Sequence, residues 1–132
     1  MNKIQLYADG FNLEDFNQDY STEIDGYTFN PSLFKKNGAK DYLDYSKKIL
    51  EKSNNKPVSL EVFADDEKNM ISQAKILNKL GKNVYVKIPV TFTNKQSTIK
   101  VLKDLVDSKI KMNITAIFTI DQVKKILPVL KD

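Results

Sequence analysis

The order of hydrophobic patterns along the chain constrains the fold more than any other feature. Five short runs typical of β-strands alternate with segments in which apolar residues recur at helical spacing. The strands are predicted at residues 3–9, 25–29, 57–64, 83–89 and 110–118. This alternation is typical of βα units, in which consecutive strands lie parallel in one sheet and helices cover it. The sequence therefore predicts an α/β protein with a five-stranded parallel sheet.

The residues that flank the helical segments are those that begin or stop helices. Asn, Asp and Thr side chains can cap a helix N-terminus, and Gly is common just past the C-terminus. The helices are accordingly predicted after Asn12, over 39–53, from Asp65 or Asp66 to Gly81, over 95–108, and from Thr119 to a bend or end at Pro128. No linker or low-complexity segment divides these units, so residues 1–132 are expected to form a single domain.

The number of units limits the architecture. A complete (β/α)₈ barrel takes roughly 200 residues or more, whereas this chain has 132. Five units correspond to about five-eighths of such a barrel. The pattern leaves two alternatives, which are a small open α/β sheet and the first part of a TIM barrel.

Two missing residue types narrow the chemistry. The sequence contains no Cys and no His. Disulfides, thiolate nucleophiles, imidazole acid–base catalysis and the usual zinc ligands are therefore excluded. An enzyme of this composition has to use Lys, Asp, Glu, Asn, Thr, Ser or Tyr.

Charge and hydropathy argue against nucleic-acid and membrane partners. All 21 cations are Lys, the net charge is +4, and the Lys residues are scattered among Asp and Glu. A nucleic-acid-binding domain usually clusters its cations and uses Arg forks, so a solvated surface is expected instead. No apolar run reaches the roughly 18 residues of a membrane span, and the N-terminus has no secretory-signal pattern.

Side chains alternate between the two faces of a strand, and here one of the two sets is polar. The polar set lies towards the carboxyl ends of the strands, where the active sites of barrels and open α/β sheets are found. A one-sided antiparallel sheet with a wet face would show the same alternation without catalytic meaning. The apolar set is expected to face the helices and comprises Ile4, Leu6 and Ala8; Tyr27 and Phe29; Val58, Leu60 and Val62; Val84, Val86 and Ile88; Met112, Ile114, Ala116 and Phe118.

Lys87 favours the catalytic interpretation of the polar set. It lies within Val-Tyr-Val-Lys-Ile-Pro, an apolar strand in which a surface lysine is unexpected. One interpretation is a buried ion pair with Glu61 or Asp9, although such pairs stabilise proteins poorly. The other is a reactive amine, because removal from water favours the neutral form of a lysine, which can attack a carbonyl.

Five segments resemble those of the transaldolase family in order and spacing, particularly the compact group that includes fructose-6-phosphate aldolases. They are IQLYAD, IDGYTFNPSLF, VSLEVFADD, VYVKIPVT and MNITAIF. The resemblance covers essentially the whole chain, and five strand motifs in sequence make it specific. It implies the first five units of a TIM barrel, an enzyme of cytoplasmic carbohydrate metabolism, and sugar-phosphate substrates.

The resemblance also implies a role for the polar residues of these motifs. Lys87 would form a Schiff base with a ketose, and the iminium would let the C3–C4 bond break without a metal or another cofactor. Asp9 would exchange the proton of the C4 hydroxyl. Glu61, with Thr115 and a bound water, would handle the protons of carbinolamine formation and dehydration. The dihydroxyacetone unit of the substrate would be bound by Asn30, Thr28, Asn113 and Ser32.

Three departures from the family pattern bear on these expectations. Phe29 replaces the second Thr of the usual Thr-Thr-Asn-Pro-Ser motif, but it is expected to face the helices. Gly10-Phe11-Asn12 follows Asp9 where Thr and Ala or Ser are common, which alters the loop above the site. The last three strands of the family, with a further serine and the phosphate-binding arginines, have no counterpart here. We therefore expect part of a longer protein, with little or no activity by itself.

Three functions follow from these observations. The first is transaldolase-type transfer of a dihydroxyacetone unit in the pentose phosphate pathway. Glu61 favours it, because the resemblance associates Gln at this position with aldolase activity. The second is C–C cleavage of the fructose-6-phosphate aldolase kind. The third is a non-catalytic binding or assembly module, including a short form that closes its sheet with another copy as a homo-oligomer.

Overall fold

The computed structural model of the protein describes residues 3–130. In this part of the chain five parallel strands form one sheet, and their order across the sheet is their order along the chain. The strands are β1 (Tyr7–Asp9), β2 (Gly26–Phe29), β3 (Val58–Glu61), β4 (Val84–Pro89) and β5 (Met112–Thr115). The parallel sheet confirms the predicted α/β architecture.

A helical segment follows each strand, as predicted. The connection after β1 contains two 3₁₀ helices, Asp15–Asn17 and Asp19–Glu23. The α-helices are α1 (Pro31–Lys36), α2 (Tyr42–Lys52), α3 (Glu67–Asn78), α4 (Ile99–Asp107) and α5 (Ile120–Leu130). Among the described residues, no helix combines the length and the apolar character that crossing a bilayer requires.

Side-chain caps set the starts of two helices that the sequence indicated. The Asp66 carboxylate accepts a hydrogen bond at 3.0 Å from the amide three residues later, and the Thr119 hydroxyl accepts the equivalent bond at 3.2 Å. Such bonds satisfy amides that the first helical turn leaves without partners. The predicted caps at Asp66 and Thr119 are confirmed, whereas the Asp65 carboxylate accepts hydrogen bonds from Thr93 in the loop after β4.

The sequence pattern predicts only a strand stop at Asn30-Pro31, but the structure begins helix α1 there. The Asn30 side chain accepts a hydrogen bond at 2.8 Å from the Leu33 amide, and Pro31 takes the first helical position. Proline suits that position because its fixed φ is helical and its missing amide would have no partner there. Asn30 therefore ends β2 and caps α1 at once.

Other helix boundaries also differ from the prediction. The Asn12 side chain accepts hydrogen bonds from the next turn, but a 3₁₀ helix follows instead of an α-helix. The helix predicted over 39–53 is the slightly shorter α2. The helix predicted over 95–108 is α4, which begins only at Ile99, because a bridge between Thr91 and Ser97 closes a turn before it.

The hydrophobic core lies between one face of the sheet and the helices. In the three central strands the apolar set faces the helices, as predicted, and its fully buried members include Phe29, Val58, Leu60, Val84, Val86 and Ile88. Helix residues that complete the core include Phe34, Ile49, Met70, Val101, Leu102 and Leu105. Phe29 packs on Phe34 with their ring centroids 5.1 Å apart. The departure from the family motif at Phe29 is thus accommodated in the core.

Strand β1 is shorter than the predicted strand over 3–9. It contains only Tyr7–Asp9, and the side chains of Ile4 and Leu6 are 80% and 51% exposed. In the described part of the chain β1 is an edge strand, and residues 3–6 precede its first paired residue. The prediction that Ile4 and Leu6 face the helices is therefore wrong.

Strand β5 is also shorter than the predicted strand over 110–118. It ends at Thr115 because Ala116 has a φ of 58°, in the left-handed region that breaks an extended strand. Phe118 lies beyond this break and is 88% exposed. The prediction that Ala116 and Phe118 face the helices is wrong, and the rest of the apolar set of β5 is only half-buried.

The sheet curves towards its polar face. Neighbouring strands lie about 4.8 Å apart, so β3 and β5, which β4 separates, would be roughly 10 Å apart in a flat sheet. The Asn113 Nδ2 on β5 nevertheless lies 3.1 Å from the Ser59 Oγ on β3. Two such short side chains can meet across β4 only when this face is concave. Concave curvature and sequential parallel order are consistent with the predicted partial TIM barrel.

Candidate active site

Two rows of side chains cross the concave face near the carboxyl ends of the strands. In the first row the strand register aligns Asp9, Thr28, Ser59 and Tyr85. In the second row, nearer the carboxyl ends, it aligns Glu61, Lys87 and Asn113. The polar residues that were predicted to share one face therefore lie side by side on it.

Lys87 and Glu61 form the centre of this face. The Lys87 Nζ lies 3.8 Å from the Glu61 Oε2, and the two side chains are only 14% and 19% exposed. Their backbones are direct partners in the β3–β4 ladder, so the register itself brings the two groups together. The ion pair with Glu61 that the sequence suggested for Lys87 is present, and most of the Lys87 side chain is buried.

Burial raises the pKa of the Glu61 carboxyl above its ordinary value. The charge of Lys87 lowers this pKa and that of Asp9 raises it, so the net shift remains upward. A carboxyl group is an efficient general acid or base when its pKa lies near the working pH. The surroundings of Glu61 therefore shift its pKa in the direction that suits a proton-transfer group.

Asp9 ends β1 and lies in a more open part of the face. Its Oδ1 accepts a hydrogen bond at 2.7 Å from the Thr28 hydroxyl on β2, and the side chain is exposed. Gly10 follows with a φ of 73°, and its amide donates to the Thr28 carbonyl at 2.9 Å. A Cβ on Gly10 would crowd Leu33 of α1 and would also be strained. The chain after Asp9 is therefore tied closely to β2 and α1.

Strand β5 contributes Asn113 and Thr115, which share a face because they are two residues apart. The Asn113 amide donates to the Ser59 hydroxyl at 3.1 Å, and Thr115 is half-buried. Ser59 is buried, with 4% of its surface exposed. Its place on the polar face was visible in the strand alternation, but it was not among the predicted site residues, because its contact with Asn113 depends on sheet curvature.

Asn30 and Ser32 lie where β2 passes into α1. The Asn30 oxygen is engaged as the helix cap, and Ser32 is exposed on the first turn of α1. Both residues are thus at the carboxyl end of β2, next to the row that holds Asp9 and Thr28. Both residues therefore lie at the edge of the concave face rather than at its centre.

Tyr42 is a further residue that the strand pattern could not reveal, because it approaches from the helix side. It is the first residue of α2, and its hydroxyl donates a hydrogen bond at 2.8 Å to the backbone carbonyl of Glu61.

The chemistry of the face follows from its donor groups. Within residues 3–130, no cluster of three or more Asp or Glu side chains converges where a metal ion could be held. The two rows instead combine one amine, two carboxylates, hydroxyls and an amide. This set is suited to imine formation and proton transfer.

Comparison with known proteins identifies the family. The family model described as Transaldolase/Fructose-6-phosphate aldolase matches residues 6–130 of the chain. The chain belongs to this family. The matched region includes all eight predicted site residues, so the resemblance seen in the strand motifs is confirmed at the level of the family.

Curated relatives of this transaldolase-family chain carry a corresponding name. Proteins named "Probable transaldolase" from Methanococcus maripaludis (strain C6) and Thermoanaerobacter sp. (strain X514) are 41% and 39% identical to it over 99 residues, which cover 75% of this chain and 43% of each relative. Another, from Sulfurihydrogenibium sp. (strain YO3AOP1), is 40% identical over 96 residues, or 73% of this chain and 42% of the relative. The chain thus matches less than half the length of these relatives.

Proposed function

We propose that the protein catalyses transaldolase-type transfer of a dihydroxyacetone unit between sugar phosphates, through a Schiff base at Lys87, in the pentose phosphate pathway. The observation that carries the proposal is the largely buried Lys87 side chain, whose amine lies 3.8 Å from the Glu61 carboxylate on the concave face. An amine next to a group that can give and take protons is what imine formation with a ketose requires. Membership of the family supports the same chemistry.

In the proposed reaction the Lys87 amine attacks the ketose carbonyl to give a carbinolamine, which loses water to form an iminium ion. Glu61, with Thr115 and a water molecule, carries the protons of these two steps. The pKa of Glu61, raised by burial, supports this role, because the carboxyl keeps its proton to a higher pH than an exposed glutamate does.

The iminium ion then withdraws electrons, so that the C3–C4 bond breaks, an aldehyde leaves and an enamine remains on Lys87. Asp9 takes the proton of the C4 hydroxyl during cleavage and returns it when the enamine adds to an acceptor aldehyde. The hydrogen bond from Thr28 to Asp9 supports this assignment, because it holds one carboxylate oxygen in a defined direction. In this scheme the main role of Thr28 is to orient Asp9, and its contact with the substrate is secondary.

The hydroxyl groups of the dihydroxyacetone unit are bound by side chains around the amine. Asn113 is supported in this role by its bond to Ser59, which orients the amide. The Asn30 oxygen already caps α1, so Asn30 would contribute its side-chain nitrogen. Ser32, exposed on the first turn of α1, would reach only the outer end of the substrate.

Borohydride reduction in the presence of fructose 6-phosphate tests the proposal. We expect a stable adduct on Lys87 of the native protein, located by mass spectrometry of its peptides. Lys87→Met should remove the adduct. Lys111→Met should retain it, because Lys111 lies at the amino-terminal end of β5, over the Tyr85 ring. Labelling of a different lysine, or none in the native protein, would refute the Schiff-base assignment.

C–C cleavage of the fructose-6-phosphate aldolase kind is the second candidate, because the description of the family includes both activities. The two reactions differ in whether the enamine is released as dihydroxyacetone or transferred to an acceptor. Glu61 and the names of the curated relatives favour transfer. Measuring free dihydroxyacetone against transfer to an aldehyde acceptor decides between them.

A non-catalytic binding or assembly module makes the opposite prediction for Lys87. Sugar-phosphate binding and self-association would then be the same in Lys87→Met as in the unchanged protein. The single-domain organisation over 1–132, a homo-oligomer and a cytoplasmic location stay predictions. A mass measurement of the native protein would test the first two.

A further inference from the structure

Tyr42 makes the one side-chain hydrogen bond from the helix layer to the backbone of Glu61 among those that the described residues form. It begins α2, and its hydroxyl donates to the Glu61 carbonyl at 2.8 Å. Glu61 is also the last residue of β3, so this bond is made where the strand ends. The peptide that carries the carboxylate is thus held from the face opposite to the carboxylate.

Aromatic packing fixes the position of the Tyr42 hydroxyl. The Tyr42 ring packs on Phe34 of α1, with centroids 4.8 Å apart, and on Phe63 in the loop after β3, at 5.7 Å. Phe34 in turn packs on Phe29, which is fully buried between Thr28 and Asn30 on β2. Phe63 is 62% exposed, so the restraint on the Tyr42 ring comes from its Phe34 side, which lies in the closely packed core.

The Tyr42 hydroxyl is also a dependable donor. Burial raises its pKa well above the ordinary value for tyrosine, and the nearby Glu61 carboxylate raises it further. The hydroxyl therefore keeps its proton over the pH range in which the protein works. Titration of Tyr42 does not interrupt the bond.

The residues that follow Glu61 are held by a different helix. The Gln73 side chain of α3 accepts hydrogen bonds from the amides of Phe63 and Ala64, at 3.0 and 2.9 Å. These bonds fix the start of the loop. The peptide between Glu61 and Val62 is held on both sides, because its carbonyl accepts from Tyr42 and its amide donates to the Lys87 carbonyl at 3.2 Å.

We propose that Tyr42 is a positioning residue for Glu61, whose hydroxyl fixes the last peptide of β3 and so holds the carboxylate beside Lys87. The inference rests on the proposed function, because it gives Glu61 a part in proton transfer. The charged groups near Glu61 are Lys87 on β4 and Asp9 on β1, and both lie on the concave face, opposite to Tyr42.

The test compares Tyr42→Phe with Tyr45→Phe. Tyr45 is a buried tyrosine one turn along α2 that also packs on Phe34, at 4.7 Å, so its variant removes a hydroxyl from the same aromatic cluster. The first readout is the titration of the Glu61 carboxyl, followed by ¹³C NMR. The second is the rate at which the Lys87 adduct with fructose 6-phosphate is trapped by borohydride.

In Tyr42→Phe we expect the pKa of Glu61 to fall towards its ordinary value. The strand end would then be held only by the ladder bond from Val62 to Lys87, and its greater movement lets water reach the carboxylate. Trapping should slow by about tenfold, since a misplacement of ~1 Å can cost on the order of 10²-fold and the ring still packs. Tyr45→Phe should change neither readout.

Other outcomes overturn the positioning role. It fails when Tyr42→Phe leaves the Glu61 titration as in the unchanged protein, or shifts it no more than Tyr45→Phe does. It also fails when Tyr42→Phe unfolds and Tyr45→Phe does not, because the hydroxyl then serves stability alone. Absence of any adduct on Lys87 in the unchanged protein would refute the proposed function, while the Glu61 titration would still decide the role of Tyr42.

Discussion

The centre of the sheet and its first edge carry similar groups in different surroundings. At the centre, the Lys87 and Glu61 side chains are 14% and 19% exposed. At the edge, Asp9 is exposed and is held by one hydrogen bond from Thr28. Strands β3 and β4 have neighbours on both sides, whereas β1 has only one within the described chain. Water weakens charge interactions at the edge. The electrostatic surroundings of Lys87 and Glu61 are therefore set by burial, whereas the orientation of the Asp9 carboxylate is set by its hydrogen bond.

The largest expected effect distinguishes Lys87 from Asp9 by the step of the proposed reaction in which each acts. Lys87→Met should abolish the borohydride adduct. Asp9→Asn should still form it, because in the proposed reaction the carboxylate acts only after the Schiff base has formed. It should slow turnover by about 10²–10⁴-fold. Quantifying the adduct and single-turnover rates checks both. Loss of the adduct in Asp9→Asn would show that the edge and the centre act in the same step.

The effect of a substitution on the free energy of unfolding should also differ between the centre of the sheet and its first edge. Leu60→Ala removes a fully buried side chain of β3, and should lower the free energy of unfolding by about 2–5 kcal/mol. Leu6→Ala, at a position that is 51% exposed, should change it by less than about 0.5 kcal/mol. Urea denaturation of both variants measures the difference. Equal losses would indicate that residues before β1 are covered in the native protein.

The hydrogen bond at the edge should have a smaller effect than the carboxylate it orients. Thr28→Val keeps the shape of the side chain but removes the donor to Asp9. The transfer rate should fall by roughly 2- to 10-fold, since a single hydrogen bond contributes about 0.5–1.5 kcal/mol. Thr28→Ser, which restores the donor, should recover most of the rate. A rate in Thr28→Val as low as in Asp9→Asn would instead assign Thr28 a direct contact with the substrate.

The smallest expected effect is the contribution of Glu61 to the pH dependence of the free energy of unfolding. Because its pKa is raised in the folded protein, its contribution to stability is complete below the ordinary carboxyl pKa and is lost as the pH rises through the folded-state pKa. The unchanged protein should therefore lose stability relative to Glu61→Gln as the pH increases through this range. Urea denaturation at several pH values measures it, with Glu51→Gln as the exposed control.

A relative gain with rising pH would contradict this expectation. It would mean that the charge of Lys87, which lowers the pKa of Glu61, outweighs burial. The comparison between centre and edge would then rest on charge pairing rather than on removal from water.

The order of the elements could be predicted from the sequence, because hydrophobic period and cap residues are local signals. The strand ends were less predictable. Ala116 adopts a left-handed backbone that its side chain does not favour, and nothing local in the pattern marks it. Helix α1 was missed because Asn30-Pro31 ends a strand and begins a helix with the same two residues.

The site was predictable in part for the same reason. Strand alternation identified the face of Lys87 and Glu61, and the register then pairs them directly. Contacts across the curvature of the sheet, such as Asn113 with Ser59, cannot be derived from a period of two. Nor can the approach of Tyr42 from the other layer, because it depends on how α2 packs on β3.

The direct pairing of Glu61 with Lys87 also has a consequence for folding. A slip of β4 by one residue against β3 would exchange the two faces of β4. The Lys87 ammonium would then enter the hydrophobic core under the helices, and Ile88 would turn to the polar face. An isolated ammonium there would be severely unfavourable. Lys87 thus disfavours a misaligned pairing of β3 and β4 during folding, in addition to the chemistry proposed for it.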